Sequence, residues 1–129
     1  MDDDALVAAA LHVRNDAYAQ YSGFPVGAAL LGRDGQVFAG CNVENISFGL
    51  TMCAERVAIG TAISAGCRVF TCVAIVSDSC EPVSPCGACR QVLAEFAPHL
   101  RIVSQTVSGV RAEFSLTELL PRAATGILG

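Results

Sequence analysis

Two cysteines lie at a predicted helix start, in the run Ser84-Pro85-Cys86-Gly87-Ala88-Cys89-Arg90-Gln91. Serine is a common helix cap and proline is well tolerated at the first helical position, so a helix is predicted from here to about Phe96. Residues three apart share a helical face, so both sulfurs can reach one metal ion. A helix N-terminus also favours thiolate over thiol. On its own, the pair is also compatible with a redox dithiol or with half of a structural zinc site.

A third cysteine opens another predicted helix, in Cys53-Ala54-Glu55. Together with Cys86 and Cys89 it gives three sulfur ligands, which leaves the fourth tetrahedral position open, as catalytic zinc requires. Glu55 would stand beside the metal rather than on it. There it can take protons from water and deliver them to the nucleobase and to its leaving amine. Cys-x-Glu followed about thirty residues later by Pro-Cys-x-x-Cys matches the zinc-deaminase signature, with cysteine in place of histidine.

The apolar pattern predicts alternating helices and strands. In chain order we expect a helix from Asp4 to about Ala19, strands at Val26–Leu31 and Val37–Cys41, a loop at Asn42–Leu50, a helix from about Cys53 to Ala65, a strand at Arg68–Ser77, a helix from Ser84 to about Phe96, strands at Arg101–Thr106 and Val110–Phe114, and a helical turn at Thr117–Leu120. Asp4, Thr51 and Ser84 are the predicted helix caps. Asp34-Gly35 predicts a hairpin, and the short last connection requires antiparallel strands. The dense apolar strand at 68–77 is expected at the centre of a mixed sheet covered by helices.

Length and composition indicate one domain spanning residues 1–129. The chain is 53% hydrophobic and 16% charged. A chain this short and this apolar is expected to have more apolar surface than a monomer can bury, which favours an oligomer. Its net charge is -4, with scattered arginines and no lysine, so a nucleic acid partner is not expected. Apolar runs are far shorter than the roughly 20 residues of a membrane helix, and the acidic start is unlike a secretory signal. We therefore expect no membrane partner and a cytoplasmic protein.

Four motifs together resemble the short, homotetrameric class of zinc-dependent cytidine deaminases over nearly the whole chain. They are Phe24-Pro25-Val26-Gly27-Ala28-Ala29, Gly40-Cys41-Asn42-Val43-Glu44-Asn45, Cys53-Ala54-Glu55-Arg56 and Pro85-Cys86-Gly87-Ala88-Cys89-Arg90-Gln91. The resemblance implies an α/β three-layer fold: a five-stranded mixed sheet with helices on both faces and the last two strands antiparallel. It also implies a homotetramer in which the loop near Phe48 and the C-terminal tail reach adjacent active sites.

The resemblance also implies a role for each site residue. Cys53, Cys86 and Cys89 would bind one Zn²⁺ per chain, and Glu55 would be the proton shuttle. In the substrate site, Asn42 and Glu44 would hold the ribose hydroxyls, Phe24 would pack against the pyrimidine, and the backbone amide of Ala54 would bind the ring carbonyl. That amide is one of the unpartnered donors at a helix start.

Arg56 has a role that charge counting supports. Three thiolates around zinc leave a formal charge of about minus one, which would raise the pKa of a bound water. A cation hydrogen-bonded to the sulfurs offsets that charge. The resemblance gives this role to Arg56, and Arg90, next to Cys89, could share it.

Each of these residues also has a simpler interpretation. Cys41 or Cys80 could complete a structural zinc site with Cys86 and Cys89, although Glu55 would then have no function. Phe24 could belong to the core, Asn42 and Glu44 could be ordinary turn residues, and Arg56 could be a solvated helix residue. His12 and His99 have no motif around them and are expected at the surface.

The predicted function is hydrolytic deamination of free cytidine and deoxycytidine in pyrimidine salvage. One alternative is deamination of a cytosine nucleoside antibiotic of the blasticidin type, and another is a noncatalytic zinc-binding module. Two positions depart from the resemblance: Phe48 stands where tyrosine is common, and Ala124 where phenylalanine is common. We expect the loss of that phenylalanine to weaken substrate affinity unless Ile127 or Leu128 fills the gap.

Overall fold

The computed structural model describes residues 1–125. Its elements are helix α1 (Asp3–Arg14), strands β1 (Val26–Gly32) and β2 (Val37–Cys41), helix α2 (Ala54–Ser64), strand β3 (Phe70–Ser77), helix α3 (Gly87–Phe96), strands β4 (Arg101–Thr106) and β5 (Arg111–Ser115), and the short helix α4 (Leu116–Leu119). The strands form one sheet in the order β2-β1-β3-β4-β5. β3 and β4 are parallel and the other neighbours are antiparallel, which confirms the predicted five-stranded mixed sheet.

The local turn signals are confirmed. β1 and β2 form a hairpin in which Leu31 pairs with Val37, and Gly35 in its turn has a φ of +91°, a conformation that favours glycine. β4 and β5 are joined through Gly109, whose φ is +106°. β3 is the central strand, as its continuous apolar sequence predicts.

Different helices cover the two faces of the sheet. α1 buries Leu6 and Ala10 against one face, and α2 and α3 pack on the other. Successive side chains of a strand point to opposite faces, so β3 contributes to both cores. Ala74 faces α1, while Val73 and Ile75 lie in the core that contains α2 and α3. The predicted three layers are therefore present.

Glycine allows α2 to approach the sheet closely. A Cβ atom at Gly40 would lie 2.3 Å from the backbone nitrogen of Ala58 and 2.7 Å from the carbonyl oxygen of Ala54. Such contacts are far inside normal van der Waals distance, so no larger residue fits without displacing the helix. Gly40 therefore holds the start of α2, which carries Cys53 and Glu55, against β2.

The predicted bounds of the first helix are wrong at both ends. Its cap is Asp2 rather than Asp4, because Asp2 Oδ1 accepts a hydrogen bond from the Ala5 amide at 2.8 Å. The helix ends at Arg14 instead of near Ala19. Beyond it, the Tyr18 amide donates to the carbonyl of Asn42, so pairing with a distant loop replaces the helical bond.

The predicted caps of the second and third helices are also wrong. Cys53 and Cys86 occupy the two N-cap positions, and Cys86 Sγ accepts from the Cys89 amide at 3.5 Å. The hydroxyls of Thr51 and Ser84 bind elsewhere: Thr51 accepts from the Asn45 amide, and Ser84 accepts from an arginine. Within residues 1–125, no helix combines the length and apolar character that would carry it across a bilayer.

Candidate active site

Three cysteine sulfurs converge where α2 and α3 begin. The Sγ atoms of Cys53, Cys86 and Cys89 all lie within 4.8 Å of one another, and those of Cys53 and Cys86 are 3.8 Å apart. Cys89 is buried and Cys86 is exposed. This set of donors fits Zn²⁺, which prefers thiolates in a tetrahedral arrangement. Three sulfurs leave one coordination position for water or substrate.

A fourth cysteine does not join this cluster. Within residues 1–125, the three-cysteine set is the only group of at least three histidine, cysteine or acidic side chains arranged closely enough to hold a metal ion. Cys41 and Cys80 lie outside it. The alternative of a closed, four-cysteine structural zinc site is therefore not supported by the geometry.

Hydrogen bonding stabilises a thiolate within the cluster. The Cys89 thiol, and then Arg56 and Cys86, lower the pKa of Cys53 from 9.0 to about 5. The pKa of Cys89 is raised by the same contact with Cys53 and by burial. One sulfur thus ionises readily while its neighbour donates to it, so the site is prepared for a cation.

Arg56 is directed at the cluster, and Arg90 is not. Arg56 Nη2 lies 3.6 Å from Cys53 Sγ, and this contact raises the pKa of the guanidinium. Arg90 instead donates to the carbonyl oxygens of Pro85 at 2.7 Å and Leu119 at 2.9 Å. The expectation that Arg90 could share the role of Arg56 is therefore wrong, because its donors join α3 to α4 rather than meeting a sulfur.

Glu55 is a buried carboxyl group in the first turn of α2, with only 6% of its surface exposed. Burial raises its pKa, and the charge of Cys53 acts in the same direction. A carboxyl group with a raised pKa next to a metal-binding cluster can both accept and donate a proton near neutral pH.

A cavity of about 360 Å³ opens onto these groups. Seven of the nine predicted site residues line it: Phe24, Asn42, Glu44, Cys53, Ala54, Glu55 and Cys86. The wall also includes residues that were not among the predicted site residues: Ser22, Val26, Thr51, Ile75, Val83 and Ser84. Cys89 and Arg56 are absent from the wall, although both contact Cys53.

Asn42 supports one wall of the cavity. Its side chain is buried, its Oδ1 accepts from the Val26 amide at 2.8 Å, and its Nδ2 donates to the Phe24 carbonyl at 3.0 Å. An amide side chain can form about four hydrogen bonds, so part of this capacity is left for a ligand. Phe24 is only partly buried and is outside both core clusters, which does not favour its interpretation as core.

Glu44 is held by the turn that precedes Phe24. Its Oε1 accepts from the amides of Tyr21 and Ser22, each at 3.0 Å, and its Oε2 accepts from the Ser22 hydroxyl. The Ser22 hydroxyl, together with these amides, lowers the pKa of Glu44. Glu44 is therefore ionised and oriented. Ser22 was not among the predicted site residues, although a serine hydroxyl two residues before Phe24 is of a type that often binds nearby backbone amides.

The remaining predicted positions lie at or near the surface. His12 and His99 are exposed, as expected. Phe48 is 77% exposed on a short 3-10 turn. The backbone of Ala124 is paired with the side chain of Gln91, and Ile127 and Leu128 lie outside the described residues.

In comparisons with known proteins, this chain is similar to zinc-binding deaminases in both sequence and structure. The family described as "Cytidine and deoxycytidylate deaminase zinc-binding region" matches residues 1–105. A cytidine deaminase from Halalkalibacterium halodurans is 48% identical over 126 residues, 97% of this chain and 96% of that protein. The crystal structure of cytidine deaminase from Burkholderia pseudomallei superposes with a TM-score of 0.93 at 48% identity, covering 96% of this chain and 100% of that one. A blasticidin-S deaminase from Bacillus cereus is 34% identical over 104 residues, 74% of each chain.

Proposed function

The chain belongs to the cytidine and deoxycytidylate deaminase family, and we propose that it hydrolyses cytidine and deoxycytidine to uridine and deoxyuridine, with release of ammonia. The observation that carries this proposal is the buried carboxyl group of Glu55 beside a three-sulfur cluster at a cavity of nucleoside size. We assign this activity to a single catalytic domain over residues 1–129.

Cys53, Cys86 and Cys89 hold one zinc ion per chain in this proposal. When bound, zinc supplies a Lewis acid that makes water a better nucleophile near neutral pH. Arg56 donates to Cys53 Sγ and offsets part of the thiolate charge. The negative charge on the sulfurs is thereby reduced while all three remain zinc ligands.

Glu55 moves the protons of the reaction. Its carboxylate accepts a proton from the attacking water and passes it to ring nitrogen N3 of the substrate. The new C4–O bond forms, the C4–N bond breaks, and Glu55 carries the second proton of the water to the departing ammonia. The buried position suits this role, because its raised pKa lies nearer the working pH than that of an exposed glutamate.

The other cavity residues orient the nucleoside. We propose that Asn42 and Glu44 bind the ribose hydroxyls, that Phe24 packs against the pyrimidine ring, and that the Ala54 amide donates to the ring carbonyl. Ala54 is the first residue of α2, so its N–H has no partner within the helix. Glu44 is ionised, which suits a carboxylate that accepts from hydroxyl groups.

We also propose a homotetramer whose active sites neighbouring subunits complete. Ile46, Phe48 and Leu50 are 80%, 77% and 67% exposed on the loop before α2. A cluster of exposed apolar side chains marks an interaction surface. Light scattering of the active protein should give about four times the chain mass of 13.3 kDa. An active monomer would contradict this assembly.

Pyrimidine salvage in the cytoplasm is the setting we propose. All seven cysteines are unpaired, which suits a reducing compartment. Cell fractionation followed by immunoblotting tests the location, and recovery of the protein in a secreted fraction would contradict it.

A substrate panel tests the function. Purified zinc-loaded protein is incubated with cytidine, deoxycytidine and blasticidin S, and the products are separated by chromatography. Conversion of the two nucleosides to their uracil forms is expected. Conversion of blasticidin S alone would favour the antibiotic deaminase, and no conversion at about one zinc per chain would favour a noncatalytic module.

A further inference from the structure

One hydroxyl group joins two walls of the nucleoside cavity. Ser22 Oγ donates to Glu44 Oε2 and accepts from the Phe24 amide at 3.0 Å. The Ser22 amide also donates to Glu44 Oε1 at 3.0 Å. Ser22 itself lines the cavity, as do Phe24 and Glu44.

These contacts restrict the Glu44 carboxylate. A carboxylate offers about four acceptor positions, and three of them are taken by the Tyr21 amide, the Ser22 amide and the Ser22 hydroxyl. Both amides bind Oε1, so the hydroxyl is the contact that holds Oε2. Without it, Oε2 would lose its hydrogen-bond partner among the described residues, and only Oε1 would still be held by the two amides.

The same hydroxyl restricts the segment that carries Phe24. The hydrogen bond from the Phe24 amide to the serine side chain two residues earlier closes a local turn. The carbonyl of Phe24 is held separately by Asn42 Nδ2 at 3.0 Å. The backbone of Phe24 is thus fixed on both sides, and Ser22 links it directly to Glu44.

We propose that Ser22 is a positioning residue of the nucleoside site, whose hydroxyl holds Glu44 and Phe24 in one geometry and so fixes where the ribose lies relative to the pyrimidine ring. This inference rests on the proposed function. Ser22 and Glu44 interact near the protein surface, so loss of the hydroxyl leaves no buried polar group unpaired. Its effect therefore falls on substrate binding rather than on folding.

Steady-state kinetics of Ser22→Ala test the inference. We expect the KM for cytidine to rise about five- to tenfold with kcat within about twofold, because the interaction acts on binding rather than on the chemical step. Ser22→Thr retains a hydroxyl and should restore most of the affinity. Ser108→Ala is the matched control, since Ser108 is an exposed serine whose hydroxyl pairs with Thr106 far along the chain from the site.

A double-mutant cycle separates positioning from general damage. In a Glu44→Ala background, Ser22→Ala should raise the KM for cytidine clearly less than it does in the wild type, because the part of its effect that passes through the Glu44 carboxylate is already lost. Additive effects, or a wild-type KM in Ser22→Ala, would overturn the role of Ser22 and leave the deaminase function standing. If the wild-type protein neither deaminates cytidine nor binds uridine by calorimetry, the proposed function fails and the role of Ser22 fails with it.

Discussion

The guanidinium group of Arg56 lies against the thiol of Cys53, with Nη2 3.6 Å from Sγ. The same nitrogen lies 3.2 Å from the carbonyl oxygen of Thr51. The two acceptors fix the cation at the N-terminus of α2, one residue beyond the buried Glu55. This contact contributes, after the hydrogen bond from Cys89, to the lowered pKa of Cys53. A cation in this position favours thiolate over thiol.

Arg56→Gln should make Cys53 less reactive in the metal-free protein. The pKa of Cys53 is about 5, so its thiolate is lost only as the pH falls through that value. Alkylation by iodoacetamide should therefore be nearly constant above about pH 6 in the wild type, and should decline from a higher pH in Arg56→Gln. Mass spectrometry measures the labelling of each cysteine. Buried Cys72, whose pKa is about 11, serves as the unreactive reference. Identical pH profiles of Cys53 alkylation in the two proteins would indicate that Arg56 is an ordinary solvated helix residue.

Cys89→Ala should remove the metal and destabilise the chain. Two sulfurs bind zinc far more weakly than three, and the starts of α2 and α3 meet at this cluster. Elemental analysis should show a fall from about one zinc per chain to less than about a tenth. The control is Cys80→Ala, because Cys80 is exposed and outside the cluster. Full zinc occupancy in Cys89→Ala would mean that the ligand set is wrong.

Gly40→Ala should damage the site from a distance. The added methyl group would lie 2.3 Å from the Ala58 nitrogen, so α2 must move away from β2 and carry Cys53 with it. Overpacking typically costs about 1–3 kcal/mol, so both the melting temperature and the zinc content should fall. Gly60→Ala on the same helix is the control, because its methyl group would meet nothing within 4 Å among residues 1–125 apart from its own stretch of helix. Equal behaviour of the two variants would show that close packing at Gly40 does not position the site.

Ala124→Phe should improve substrate affinity. Gln91 holds the backbone of Ala124 through two hydrogen bonds, from the Ala124 amide at 3.0 Å and to its carbonyl at 3.2 Å. If this segment covers a neighbouring active site in the tetramer, an aromatic ring at this position adds apolar contact worth up to about tenfold in KM. Arg122→Phe, at an exposed position in the same segment, is the control. An unchanged or higher KM for cytidine in Ala124→Phe, with kcat intact, would show that the segment does not complete the pocket.

The parts of the fold that local sequence controls were predictable. Asp34-Gly35 carries its own turn preference, and the apolar run that forms β3 indicates a strand buried on both sides. The cluster of Cys53, Cys86 and Cys89 followed from spacing, because two helix starts bearing cysteines can meet at one metal ion.

The errors arose where a specific side-chain or backbone contact overrides the preference of the local sequence. Ser84 has the residue type of a helix cap, but its hydroxyl accepts from Arg90 Nη2 at 3.0 Å, and Cys86 caps the helix instead. Tyr18 lies within the helix predicted from the sequence, but its amide donates to the backbone carbonyl of Asn42 instead. Ser22 was overlooked for the same reason, since its partner Glu44 lies 22 residues away.

In the proposed reaction, Glu55 moves the protons of cytidine hydrolysis at a zinc ion held by the three cysteines. The most direct test of this role is the initial rate of cytidine loss, followed by ultraviolet absorbance, for wild type, Glu55→Gln and Glu95→Gln at equal zinc content. Glu95 is an exposed glutamate on α3 and serves as the control. Wild type and Glu95→Gln should convert cytidine to uridine at similar rates, and Glu55→Gln should be slower by about 10²–10⁴-fold while keeping its zinc and fold. A zinc-loaded Glu55→Gln protein that retains more than about a tenth of the wild-type rate would contradict the role of Glu55 as the proton carrier.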